Sequence, residues 1–214
     1  FAGLHNGRTP RDGRAPRVAT RTVTRSKKEL EQVHVCLGAR AYPQAHPDRY
    51  ACYVLNTVLG GSMSSRLFQN VREKRGLVYS ISSGLTAYSD AGLVTIYAGT
   101  SLDSVPEVIR LTLEEIRRVR GELLGEEELR RAKDHIKGGL VLSLESSGAR
   151  MSHLARQEIY FGRQFAVDEI LGSIESVSAS DVRRVAAEVF DGRLAASVLG
   201  NLRGWRPRER ELRV

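Results

Sequence analysis

No apolar run in the sequence approaches the ~20 residues a bilayer-spanning helix needs, and the opening residues lack the basic, apolar, small-residue order of a secretory leader. Both absences point to a soluble chain, for which a cytoplasmic location is favoured. Phe1 is not a start methionine, so any targeting signal would lie upstream of it. Cysteine is scarce. Cys36 and Cys52 sit in apolar surroundings, in no C-x-x-C or His-linked spacing, and read as buried free thiols rather than a metal or redox site.

Acidic residues are scarce at the two ends. The first 28 residues carry eight Lys or Arg against one acid and the last 14 carry five against two, so the ends supply +7 and +3 of a net +8 and the body between them is −2. A nucleic-acid partner would have to be held by the ends alone, and Arg-rich ends are more often solvated linker and tail. No nucleic-acid or membrane partner is expected.

With 214 residues and 41% hydrophobic content, the chain can bury one core of ordinary size. Residues 1–17 mix Gly, Pro and Arg without an apolar period and read as a linker. Alternation over 18–24 and 32–39 predicts two strands, with His34 a hydrogen-bonded sheet residue rather than a ligand. Pro47 and Asp48 open a helix that ends at Gly60. Residues 77–87 and 93–98 flank a turn at 89–92 as an antiparallel hairpin, and 103–120 follows as an amphipathic helix. The helical pattern over 126–161 is interrupted at Gly138-Gly139 and at Ser146-Ser147-Gly148 and predicts two packed helices. Two more helices, over 167–174 and 178–190, precede a strand over 195–199, the second opened by Ser178 with Asp181 three residues on. Paired strands and runs of helices favour an α+β fold, a mainly antiparallel sheet with helices packed on one face.

Residues 60–80 are the stretch whose spacing suggests chemistry. Gly60 and Gly61 end one helix, Ser64 is placed to cap the next, Leu67, Phe68 and Val71 give it an apolar stripe, and Gly76 stops it before an extended run. Arg72 therefore falls near a helix C-terminus and Tyr79 near a strand start, where a guanidinium and a phenol, both hydrogen-bond donors, can face one cleft. Without further context both would pass as a dipole-satisfying Arg and a strand aromatic. Arg66 and Arg75 read as surface or packing charges.

The string Leu59-Gly-Gly-Ser-Met-Ser-Ser-Arg-Leu-Phe68, followed by Arg72-Glu-Lys-Arg-Gly-Leu-Val-Tyr79, resembles the C-terminal half-domain of the pitrilysin-type zinc metallopeptidases, the group that includes insulin-degrading enzyme and the mitochondrial processing peptidase. Further landmarks follow in the family's order at Glu31-Gln-Val-His34, His46-Pro-Asp-Arg-Tyr50, Asp90-Ala-Gly-Leu93, Glu127 to Lys133 and Leu144-Glu-Ser146, so the likeness covers residues 18–200 and leaves 201–214 as a basic tail. In the family, zinc is held by an H-x-x-E-H helix of the other half. His5, His34, His46, His135 and His153 form neither that motif nor H-E-x-x-H, so the resemblance assigns this chain to the half without metal and implies no zinc here, with zinc in the complete enzyme held by the other half. It further implies that Arg72 and Tyr79 are the substrate-facing and catalytic pair, that the substrate is a peptide, and that the isolated half is inactive. The implied partner is an H-x-x-E-H half, upstream in the same chain or on a separate subunit, in a homo- or heterodimer. The alternative is a non-catalytic binding or assembly module of the same fold.

Overall fold

The computed structural model describes Pro16 and residues 19–214. The linker expected over 1–17 lies outside the described residues apart from Pro16, and so does Val18. Five strands, β1 (Thr22–Ser26), β2 (Val33–Ala41), β3 (Val78–Ala87), β4 (Gly92–Thr100) and β5 (Ala195–Gly200), form one sheet in the order β1-β5-β2-β4-β3. All neighbours are antiparallel except β1 and β5, which run parallel with Thr22 opposite Ala196. That pairing sets the first strand at 22–26 rather than the expected 18–24.

Period two sorts β2 into faces. Val33, Val35, Leu37, Ala39 and Ala41 are buried, while His34, Cys36, Gly38 and Arg40 turn to the opposite face. Cys36 is consequently only half-buried, not buried as its apolar neighbours suggest, because strand alternation carries it outward with His34. Cys52 is buried, and burial pushes its thiol up to about 11.

The inner face is covered by α1 (Arg49–Leu59), α2 (Val105–Gly121) and α6 (Ala179–Val189), which also pack on one another. Against α1 lie α3 (Glu126–Ser143) and α5 (Val167–Glu175), with α4 (Ser147–Phe161) between them in sequence. The helix break falls at Ser146, whose Oγ accepts the Ala149 N–H at 3.4 Å. Gly138 and Gly139 lie inside α3; a glycine costs a helix only about 1 kcal/mol, and the hydrogen-bond ladder continues through both. At α6 the capping box is present, with Asp181 N–H donating to Ser178 Oγ and Ser178 N–H to Asp181 Oδ2. Residues 201–214 fold back onto the domain. Leu202 and Leu212 are buried, Trp205 packs on the core, and Leu194 N–H donates to Leu212 O at 2.9 Å. Charge alone suggested solvation there; the leucines spaced between the arginines override it.

Candidate functional site

The segment between α1 and β3 is built on two close approaches. Gly60 and Gly61 N–H groups both donate to Asn56 O, and Ser83 N–H on β3 donates to Gly60 O at 2.9 Å while its hydroxyl donates to Asn56 Oδ1 at 2.8 Å. A Cβ on Gly60 would lie 2.6 Å from the Ser83 nitrogen, so only glycine lets this loop reach the strand. Ser64, placed by its spacing to cap the next helix, instead pairs with the Ser62 hydroxyl at 3.1 Å. A short helical turn at Arg66 and Leu67 passes into a π-helix over Phe68–Glu73, closed by Lys74 N–H donating five residues back to Gln69 O.

Both sides of the π-helix are tied down. Leu67 and Val71 are fully buried beneath it. Arg66 forms a two-pronged ion pair with Glu128 of α3, both bonds 2.8 Å, at side-chain exposures of 15% and 28%. Asn70 donates to Glu115 of α2 at 2.7 Å. Gly76, at φ +62°, then reverses the chain: its N–H donates to Arg72 O, and Leu77 N–H to Val71 O, satisfying carbonyls the helix end would otherwise leave bare.

Arg72 and Tyr79 emerge on either side of that reversal, on elements that pack together. Among the described residues no carboxylate pairs with Arg72; its guanidinium sits 4.8 Å from the Phe68 ring centre. Its neighbours are engaged, Arg66 with Glu128 and Arg75 with Asn70 O at 2.7 Å. Tyr79 occupies a β-bulge. Val78 pairs with Thr100 and Ser80 with Gly99, leaving Tyr79 unmatched, so Tyr79 and Ser80 point outward in succession and Tyr79 is 63% exposed. Neither the bulge nor the π-turn is marked by the apolar pattern of residues 60–80. Phe68, read there as part of the apolar stripe, is instead a partly exposed platform under Arg72, a role that its four-residue spacing from the arginine permits.

Chemically the pair offers two hydrogen-bond donors on an open surface. Among the described residues no group of three or more His, Cys, Asp or Glu could hold a metal ion, so zinc does not fit here. A cavity of about 230 Å³ opens elsewhere, between α1, α3, α4 and α5, with Arg49, Tyr50 and Phe161 in its wall; it includes neither Arg72 nor Tyr79. No helix is long and apolar enough to cross a membrane among the described residues.

A one-sided sheet-and-helix domain with this segment defines a peptidase half-domain class, and comparison gives the family. A family model described as the peptidase M16 inactive domain matches residues 2–136, and the chain belongs to that family. An uncharacterized zinc protease of Streptomyces coelicolor is 41% identical over 195 residues, 88% of this chain and 42% of the relative. Another, from Bacillus subtilis, is 39% identical over 82% of this chain and 42% of the relative. The chain thus spans less than half the length of these relatives. Solved structures share the fold: a conserved protein from Enterococcus faecalis (TM-score 0.74, 23% identity, 86% of this chain and 42% of that one) and a protease from Helicobacter pylori (0.71, 20%, 83% and 43%).

Proposed function

We propose that this chain is the metal-free half of a zinc metalloendopeptidase and brings Arg72 and Tyr79 to a peptide whose reaction centre lies on a second, H-x-x-E-H half, upstream or on a separate subunit. The observation that carries the reading is an exposed phenol on a β-bulge and, on the helix packed against that strand, the one arginine of residues 66–75 that has no carboxylate or carbonyl partner among the described residues. A phenol O–H placed this way donates to the oxyanion that develops when a peptide carbonyl is attacked, and the planar guanidinium holds a substrate carbonyl or carboxylate. Neither group needs a metal on this chain to act. In the assembly with the metal-holding half, Tyr79→Phe is expected to lower peptide turnover on the order of 10²-fold to 10³-fold with zinc content unchanged. Normal turnover would remove Tyr79 from the chemistry.

The description of the matching family model as an inactive domain supports a second reading, a non-catalytic binding or assembly module of the same fold. The partner sequence separates the two: an intact H-x-x-E-H favours the peptidase and a degenerate one the module.

A further inference from the structure

The face of the sheet opposite the helices carries a polar cluster that the Arg72 and Tyr79 reading leaves unused. One cross-strand row runs from His34 on β2 through Gly99 on β4 to Ser80 on β3, directly after the bulged Tyr79. From the next row Tyr97 reaches diagonally, its hydroxyl 2.8 Å from His34 Nδ1 with the rings stacked. Gly99 is buried beneath this group: a Cβ there would lie 2.9 Å from Gln32 Oε1, 3.2 Å from Ser80 Oγ and 3.3 Å from the Tyr97 hydroxyl, so glycine is what lets these groups close in. Four polar side chains therefore converge over one glycine on an open sheet face.

We propose that Gln32, His34, Ser80 and Tyr97 form a subsite for the main chain of an extended peptide, beside the bond that Tyr79 addresses. The inference rests on the proposed function and extends it from the reacting carbonyl to the residues that flank it. The cluster mixes donors and acceptors and includes no carboxylate, lysine or arginine. That composition matches a peptide unit, with one N–H and one C=O, better than it matches a charged side chain. Recognition through the main chain is independent of substrate sequence, and the glycine lets these side chains close in over the sheet where a Cβ would displace them.

The test measures kcat and KM for an unfolded peptide cut by the complete assembly, with wild type, His34→Ala, Tyr97→Phe and Tyr79→Phe side by side. It also uses ester analogues of the peptide in which single main-chain N–H groups near the cut are replaced by oxygen. His34→Ala and Tyr97→Phe are expected to raise KM about tenfold, with kcat within about twofold and the melting temperature unchanged. Wild type should lose about tenfold in kcat/KM on one flanking ester, and His34→Ala should lose nothing more on that same ester. Unchanged KM in both variants, or equal ester losses with and without His34, overturns the subsite. Slow Tyr79→Phe alongside normal His34→Ala and Tyr97→Phe removes the subsite alone, whereas normal turnover by Tyr79→Phe removes the site reading on which it stands.

Discussion

Three arginines within ten residues show how context gives one side-chain type different surroundings. Arg66 is nearly enclosed and clasps Glu128 through two bonds, so removing it leaves a part-buried carboxylate without its partner. Arg72 rests on Phe68 in the open and holds nothing else together. Arg66→Ala is accordingly expected to destabilise the fold by about 1–3 kcal/mol in urea unfolding. Arg72→Ala should fall within about 0.5 kcal/mol of wild type, yet lower turnover of the assembly about tenfold or more. Equal stability losses would mean that Arg72 is a packing residue. By composition and local period these arginines are indistinguishable; only the spaced motif shared with the peptidase half-domain set Arg72 apart. Its ring platform and the ion pair of Arg66 depend on residues brought in by the turn and by α3, which no local pattern specifies.

At the scale of elements, period and caps made nearly every helix and strand legible, since buried faces repeat at two or 3.6 residues and Ser178 with Asp181 marks a helix start. The π-helix and the β-bulge were not legible. Each adds one residue to a ladder without altering the apolar pattern around it, and each bears on how residues 72 and 79 are presented. The join between α1 and α6 was equally hidden, because Asp48 and Arg184 lie far apart in sequence. Arg184 donates to both Asp48 oxygens, at 2.9 and 2.7 Å, and holds that carboxyl below its usual range; hydrogen bonds from Ser178 do the same for Asp181 one turn away. A carboxyl depressed in the folded state stabilises the fold above its unfolded pKa of about 3.9, and that contribution is lost as pH falls through the lower folded value. Stability should therefore decline as pH drops from about 5 towards 3, and Asp48→Asn should show a shallower decline over that window while being less stable at neutral pH. A decline as steep as wild type's would show that the Asp48 pair carries none of it.

For the whole molecule, helices on one face of the sheet leave the other face to a second surface. His34, Cys36 and Tyr97 lie on that bare face, and Tyr79 projects from the bulge of the strand beside it. If Tyr79 is to reach a carbonyl held by a metal-bearing half, this is the face that must meet that half across the substrate. The two cysteines report on the arrangement. Cys36 faces outward and half-buried, its thiol raised by that partial burial, while Cys52 lies within the core with its thiol pushed up to about 11 by burial. Alkylation requires thiolate and access, so iodoacetamide should modify Cys36 of the isolated chain well ahead of Cys52. In the assembly with the metal-holding half the Cys36 rate should fall, and a bound uncleaved peptide should lower it again, with Cys52 slow throughout. A Cys36 rate that stays the same in the chain alone, in the assembly and with peptide present would place the partner on another face and leave Tyr79 facing solvent.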